Sequence, residues 1–188
     1  MAELVLFHHA QGLTAGCHAF ADELRAAGHV VHTPDLYDGR TFATLADGMA
    51  HAEEVGVEAI VDRGRHAVAG LPEDVVYAGF SLGVMPAQAL AQTRPGARGA
   101  VLLHAAVPPA ALGGPWPAGV PVQLHTMEHD ELGDVDVARE LAETIPAAEL
   151  FLYRGDRHLF TDAGLPDYDE DATRLVLERV RGFLDRVG

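Results

Sequence analysis

Lysine and asparagine are missing from this 188-residue chain, and serine occurs only once, at Ser81. Without lysine, the chain cannot provide a Walker A loop, a Schiff base, a pyridoxal anchor or a Ser–Lys dyad. Without asparagine, any oxyanion hole must consist mainly of backbone N–H groups. These absences exclude many enzyme mechanisms before any motif is considered.

Disulfides, long apolar runs and net positive charge are absent as well. The single cysteine, Cys17, cannot form an internal disulfide, and no apolar run reaches the roughly 20 residues of a membrane-spanning helix. The N-terminal sequence MAELVLFHHA has no basic segment and is interpreted as a strand, not a signal peptide. The net charge of −15 disfavours nucleic acids and anionic membranes, which bind clustered cations. We expect a cytoplasmic protein that binds neither.

Short apolar runs alternate with segments of helical periodicity along the whole chain. This alternation predicts an α/β fold with a six-stranded, mostly parallel sheet and helices on both faces. No repeat or linker interrupts the pattern, so we expect residues 1–188 to form one domain. The predicted strands are Leu4–Phe7, Val30–Thr33, Val75–Ala78, Ala100–Leu103, Val120–Leu124 and Glu149–Tyr153.

Five helices are expected between and after these strands. The first has Thr14 as its N-cap and stops near Gly28, and the second runs from Leu45 to about Arg63. The third opens at Ser81 and is expected to kink at Pro86, which cannot donate a backbone hydrogen bond. The remaining two helices cover Asp134–Ile145 and the apolar stripe from Val176 to Val187.

The sequence Gly79-Phe80-Ser81-Leu82-Gly83 lies between a predicted strand and a predicted helix. This is the G-x-S-x-G nucleophile elbow in the strand–turn–helix context that it requires. Ligands of parallel sheets bind beyond the carboxyl ends of the strands, where this turn lies. The pattern predicts Ser81 as a nucleophile.

A serine nucleophile needs a base, and His158 follows the last predicted strand. Between Ser81 and His158, the segment after the fifth strand offers an acid, and Asp130 has the most suitable spacing. The resulting order Ser…Asp…His is that of α/β hydrolases. Other carboxylates also compete for the role of the acid: Glu128, Glu131 and Asp134.

Histidines are numerous after the strands, which raises the question of a metal site. His8 and His9 follow the first strand, but adjacent residues of an extended chain point to opposite faces and do not easily bind one ion. The other histidines near strand ends are His104, His125 and His129. We expect no metal and no cofactor.

Five segments together resemble the dienelactone hydrolase family of α/β hydrolases. They are FHHAQGL, TPDLYDGRTF, GFSLG, QLHTMEHD and YRGDRHLF, in this order and spanning nearly the whole chain. The resemblance implies a Ser81–His158–Asp130 triad and an oxyanion hole formed by the backbone N–H groups of Ala10 and Leu82. It also implies substrate-binding residues, namely His9, Gln11 and Tyr37.

Three positions depart from the family pattern. The namesake enzymes have cysteine at the position of Ser81, and a glycine that usually precedes the acid is replaced by Met127. Some carboxylate-binding members have an arginine four residues after the histidine, where this chain has Asp162. Hydrolysis of an ester or lactone by a serine nucleophile is therefore the expectation, without a predicted site for an anionic substrate.

The connection Ala105–Gly119 is where many α/β hydrolases insert a lid. Its prolines and glycines oppose helix formation, so we expect no cap domain and expect Trp116 to pack at the domain edge. The sequence thus predicts a hydrolase of small esters or lactones. A thioesterase or amidase would use the same residues, and a non-catalytic ligand-binding or receptor module on this fold is an alternative of another class. The oligomeric state is left open.

Overall fold

A computed structural model describes all 188 residues and contains one six-stranded sheet, with the order β2-β1-β3-β4-β5-β6. All neighbouring strands are parallel. The strands are β1 (Glu3–Phe7), β2 (Val30–His32), β3 (Val76–Phe80), β4 (Gly99–Leu103), β5 (Val122–Met127) and β6 (Ala148–Tyr153). The predicted α/β-hydrolase sheet is confirmed.

Six α-helices flank the sheet, and none is long and apolar enough to cross a membrane. They are α1 (Ala15–Ala26), α2 (Leu45–Val55), α3 (Val57–Ala67), α4 (Val84–Thr93), α5 (Val135–Thr144) and α6 (Glu170–Val187). Two short 3-10 turns cover Ser81–Gly83 and Pro109–Leu112.

The second predicted helix is two helices, which corrects the expected span from Leu45 to Arg63. Gly56 separates α2 from α3 and has a φ of 84°, a left-handed conformation that a continuous right-handed helix does not contain. The fifth strand also begins later than predicted, at Val122, because Pro121 precedes it and the Val120 carbonyl accepts a bond from Trp116.

Both faces of the sheet are buried, which explains why its strands are continuous apolar runs. Successive residues of β1 point to opposite sides, so Leu6 joins one core and Phe7 the other. The first core includes Phe20 of α1 and Val176 of α6. The second core includes side chains from α2, α3, α4 and α5, such as Ile60. The sheet is thus held between two layers of helices, and the candidate site lies at one of its edges.

The first turn of α4 contains Pro86, the residue at which we expected a kink. Val84 begins the helix, so Pro86 occupies its third position, where a backbone N–H has no acceptor within the helix. No helical hydrogen bond is therefore lost there. Gly64 lets helix α3 pack closely on this turn, because a side chain at that position would collide with Pro86.

The connection from β4 to β5 lies flat against α4. The amide of Gln88 donates to the Val107 carbonyl at 2.7 Å, and Gln92 donates to the carbonyls of Pro109 and Gly114 at 2.9 and 2.7 Å. Trp116 Nε1 donates to the Val120 carbonyl at 2.7 Å, just before β5. Trp116 therefore packs at the amino edge of the sheet, away from Ser81, and the connection carries no helical cap.

Candidate active site

Ser81 lies in the sharp turn between β3 and α4, at the carboxyl edge of the sheet. Its φ of 48° is a left-handed conformation that residues other than glycine seldom adopt. The residue is only partly buried, in contrast to the five buried residues of β3 before it. The turn thus exposes one hydroxyl group at the top of an otherwise buried strand.

Two glycines permit this turn, as the elbow motif predicts. A side chain at Gly79 would collide with the backbone of Gly83, and a side chain at Gly83 would collide with the carbonyl oxygens of Phe7 and His8. Any substitution would therefore force β3, α4 and the loop after β1 apart. The loop after β1 consequently lies directly beside Ser81.

The three predicted residues Ser81, His158 and Asp130 form one hydrogen-bonded chain. The Ser81 Oγ lies 2.7 Å from Nε2 of His158, and Nδ1 of His158 lies 2.8 and 3.1 Å from the two carboxylate oxygens of Asp130. A carboxylate can only accept, so Nδ1–H donates to Asp130 and Nε2 is left to accept from the serine hydroxyl. The arrangement can remove a proton from Ser81.

Among the four candidate acids, only Asp130 contacts His158. Asp130 is buried, whereas Glu128, Glu131 and Asp134 are exposed. The backbone N–H of Leu132 donates to the Asp130 carboxylate at 3.0 Å and helps to fix its orientation. The spacing argument therefore selected the carboxylate that the fold brings to the histidine.

Met127, which replaces the usual family glycine, fits because a glycine lies opposite. Its sulfur accepts a hydrogen bond from the Arg157 N–H at 3.2 Å, one residue before His158. Gly155 has a φ of 134°, and a Cβ there would lie 2.8 Å from the Met127 sulfur. The Met127 side chain therefore occupies the space beside Gly155 and contacts the loop that carries His158.

The two predicted oxyanion donors belong to two segments in close contact, the loop after β1 and the turn that begins α4. Ala10 is buried in the loop after β1, and its N–H donates to no other backbone group. Helix α2 approaches this loop closely at Gly48, since a side chain there would collide with the Ala10 carbonyl. Leu82 follows Ser81 in the turn that begins α4, where N–H groups point toward the helix N-terminus. Their role as an oxyanion hole stays a prediction.

Of the predicted substrate-binding residues, His9 and Gln11 bind protein groups. Nε2 of His9 donates to Asp162 at 2.8 Å, and its Nδ1 accepts from the Gln11 backbone N–H at 3.2 Å. The Gln11 side chain donates to the Phe42 carbonyl at 3.1 Å. Both side chains fix the loop after β1, and their contact with substrate stays a prediction.

Tyr37 is the third predicted substrate-binding residue. Its ring packs edge-on against three neighbouring rings, those of His8, Phe42 and His51. Burial raises the pKa of Tyr37 to about 12, although nearby Arg63 opposes the rise. The buried hydroxyl has no hydrogen-bond partner, so it can still bind a group that reaches it.

Asp162, which the sequence marked only as a departure from the family pattern, does not present a free charge to the site. Its carboxylate is 3% exposed and accepts from His9, from the Thr14 hydroxyl at 2.5 Å and from the Gly164 N–H at 2.8 Å. Burial would raise the pKa of Asp162, but these hydrogen bonds hold it below its usual value. Burial opposes a proton on His9, whereas the Asp162 carboxylate raises the pKa of His9 to about 9. The Gln11 N–H that faces Nδ1 opposes this rise, because only the neutral ring can accept it, and with Nε2–H directed at Asp162 both contacts are satisfied by the neutral ring.

The donor atoms of His9, Cys17 and Asp162 all lie within 4.8 Å of one another, as ligands of one metal ion would. Nitrogen and oxygen ligands about 2.0 Å from a tetrahedral zinc ion would be roughly 3.3 Å apart. The observed 2.8 Å between His9 and Asp162 is a hydrogen-bond distance. The arrangement fits a hydrogen-bonded cluster better than a ligand set.

Two further histidines near the site were noted in the sequence without an assigned part. His104 follows β4 directly, with a φ of 69°, and its Nε2 lies 2.7 Å from the Thr161 hydroxyl. His125 lies in β5, with Nδ1 2.8 Å from the Tyr153 hydroxyl. Burial lowers the pKa of both, that of His125 to about 3, and both are therefore neutral. Their positions after or within strands were visible in the sequence, but their partners were not.

A parallel sheet with this strand order, a serine in a strand–helix elbow and a histidine after the last strand define an α/β hydrolase. The model of the dienelactone hydrolase family matches residues 2–188. The chain belongs to that family. No curated protein matches its sequence.

Solved structures share the fold at low sequence identity. A dienelactone hydrolase-like promiscuous phosphotriesterase from metagenomic libraries is 18% identical, with a TM-score of 0.74 over 100% of this chain and 87% of that one. Mouse α/β hydrolase domain-containing protein 10 is 14% identical, with a TM-score of 0.74 over 99% and 90%. A structure of the metagenome-derived lipolytic enzymes LipS and LipT is 18% identical, with a TM-score of 0.68 over 98% and 94%.

Proposed function

We propose that this protein is a serine hydrolase that cleaves a small carboxylic ester or lactone through an acyl-enzyme on Ser81. The observation that carries the proposal is the hydrogen-bonded chain Ser81–His158–Asp130 at the carboxyl edge of the sheet. Membership of a hydrolase family supports the same reaction class.

The reaction begins when Ser81 Oγ attacks the substrate carbonyl carbon while His158 Nε2 accepts the hydroxyl proton. Asp130 stabilises the imidazolium that forms. The backbone N–H groups of Ala10 and Leu82 donate to the carbonyl oxygen as it becomes an oxyanion. When the tetrahedral intermediate collapses, His158 gives its proton to the leaving alkoxide, which in a lactone stays attached to the acyl group.

Water completes the reaction. It attacks the acyl carbon after losing a proton to His158, and the second tetrahedral intermediate expels Ser81 with the proton returned to its oxygen. The acid is released and the free enzyme is restored. A binding module would have no need for this arrangement, in which a strained serine, an imidazole and a buried carboxylate are joined by hydrogen bonds.

Small substrates are favoured by the architecture around Ser81. The connection between β4 and β5 is fixed to α4 by Gln88 and Gln92, so it does not extend over the carboxyl edge as a lid. Without a lid, little apolar surface is available to bury a long acyl chain, and such burial is what would favour longer substrates.

Replacement of Ser81 by alanine tests the proposal. Loss of a triad nucleophile typically lowers kcat by about 10⁶-fold, so Ser81→Ala should abolish hydrolysis of p-nitrophenyl acetate. The far-UV circular dichroism and the melting temperature should stay those of a folded protein. If the folded variant keeps more than about a tenth of the wild-type rate, Ser81 is not the nucleophile.

A further inference from the structure

The turn that carries His158 is held by two buried histidines outside the proposed triad. His104 Nε2 bonds to the hydroxyl of Thr161 at 2.7 Å, and His9 Nε2 donates to the carboxylate of the next residue, Asp162, at 2.8 Å. All four side chains are at least 97% buried. These contacts fix the chain three and four residues after His158.

The two histidines follow the strands that flank β3 on either side. His9 follows β1 and His104 follows β4, and β3 lies between these strands. The ring of Phe80, the residue before Ser81, packs against both, at 6.4 Å from His9 and 6.1 Å from His104 between ring centroids. The three rings therefore form a layer around the residue before Ser81, and its two histidines bond to the turn that carries His158.

Asp162 connects this layer to a second element of the site. The same carboxylate accepts from Thr14, the N-cap of α1, and a side chain at Gly16 would collide with it. The position of Gly16 thus provides the space that the carboxylate occupies. Asp162 is joined to both ends of the loop between β1 and α1.

His9 extends the connection to the predicted oxyanion donor. Its Nδ1 accepts the backbone N–H of Gln11, the residue after Ala10. An uninterrupted series of hydrogen bonds therefore runs from the Ala10 loop through His9 to Asp162, in the turn of His158. A displacement of either segment would stretch or break these bonds.

We infer that Asp162 is a positioning residue, which with His9 holds the Ala10 N–H and the His158 ring in one rigid arrangement around Ser81. Thr161 and His104 support the same turn from the other side of β3. The inference rests on the proposed function of Ser81, Asp130 and His158. It assigns to Asp162 an internal role and not the recognition of a charged substrate.

The substitution Asp162→Asn tests this role with little change in volume. One oxygen becomes an NH₂ group, so the side chain cannot keep all three of its accepted hydrogen bonds. Small misplacements of catalytic groups cost up to about 10²-fold in rate. We expect kcat for p-nitrophenyl acetate to fall about 10- to 100-fold per active site labelled by a fluorophosphonate, with KM changed less than about twofold.

Two further variants complete the design. Asp167→Asn makes the same chemical change at an exposed position five residues later and should leave kcat unchanged. Thr161→Val removes the hydroxyl that His104 contacts while keeping the side-chain shape, and should lower kcat by less than Asp162→Asn. It also provides a test if Asp162→Asn fails to fold.

A readout that does not depend on turnover is the low-field proton NMR resonance of His158 Nδ1–H. It should shift or broaden in Asp162→Asn and keep its wild-type position in Asp167→Asn. The inference is overturned if Asp162→Asn keeps kcat per labelled site within about threefold of wild type, as a purely structural role predicts. If the wild-type protein proves inactive, the proposed function fails, and an unchanged resonance in Asp162→Asn overturns the positioning role separately.

Discussion

Two buried His–Asp pairs lie near Ser81. Their contact distances are equal, but different ring nitrogens make the contact in each pair. His158 and Asp130 are 2.8 Å apart, and so are His9 and Asp162. The first carboxylate accepts from Nδ1, which leaves Nε2 for the Ser81 hydroxyl. The second accepts from Nε2, and the remaining Nδ1 is used by a backbone N–H.

The two carboxylates also differ in the number of other hydrogen bonds that they accept. Asp130 accepts one further hydrogen bond, from the N–H of Leu132, whereas Asp162 accepts two, from Thr14 and Gly164. A buried His–Asp pair is therefore not by itself a general base. The group at the second ring nitrogen decides whether the pair can move a proton or only hold two segments together.

The largest expected difference between the pairs is in the rate of hydrolysis. By analogy with the protease triad, Asp130→Asn should lower kcat about 10⁴-fold, because it no longer holds the imidazole tautomer that accepts from serine. This loss is at least a hundredfold larger than that expected for Asp162→Asn. Steady-state hydrolysis of p-nitrophenyl acetate measures both.

The exposed Glu128 provides the matched control for Asp130. It precedes Asp130 by two residues and makes no contact with His158, so Glu128→Gln should change kcat only mildly. A large loss in Glu128→Gln together with a mild one in Asp130→Asn would transfer the role of the acid to Glu128.

A smaller effect is expected from the histidines that have no carboxylate partner. Burial lowers the pKa of His125 from 6.5 to about 3, with Arg179 contributing. Below pH 6.5 the unfolded chain therefore binds a proton that the native protein excludes. The free energy of unfolding should fall by about 1.4 kcal/mol per pH unit for this histidine, from pH 6.5 down to its native pKa, with no contribution above pH 6.5.

Denaturant unfolding of His125→Gln at pH 7, 6 and 5 checks this contribution. The variant should lose stability on acidification less steeply than the wild-type protein, by up to about 1.4 kcal/mol per pH unit. The exposed His66 is the control, because His66→Gln should keep the wild-type slope. Identical slopes for His125→Gln and wild type would mean that His125 is not held neutral.

The smallest expected effect concerns the length of the acyl chain. The carboxyl edge holds both His–Asp pairs but no lid, so lengthening the ester from acetate to decanoate should lower kcat/KM or leave it unchanged. A series of p-nitrophenyl esters measured below their critical micelle concentrations provides the comparison. A steady rise in kcat/KM with chain length would require an apolar acyl tunnel.

The fold and the three residues of the hydrogen-bonded chain were accessible from local sequence signals. Ser81 is marked by its flanking glycines, while Asp130 and His158 are marked by their positions after strands and by their order in the chain. Each of these signals spans a few residues. The break at Gly56 was also visible locally, but the apolar periodicity continues across it and obscured the helix boundary.

The second His–Asp pair could not be predicted, because its members are separated by 153 residues. Nothing in either segment names its partner, and Asp162 stood out only as a departure from the family pattern. The space at Gly16 and the N-cap at Thr14 become meaningful once the fold brings them to the carboxylate. Long-range complementarity of this kind is a property of the packed structure.

The most direct test of the central claim is the mass of the intact protein after treatment with a fluorophosphonate. Such reagents form a covalent bond with an activated serine, and Ser81 is the only serine in the chain. The wild-type protein should gain the mass of one phosphonyl group, located on Ser81 by peptide mapping, and Ser81→Ala should gain none. A folded wild-type protein that stays unlabelled, or a Ser81→Ala variant that is labelled as fast as wild type, would contradict the account.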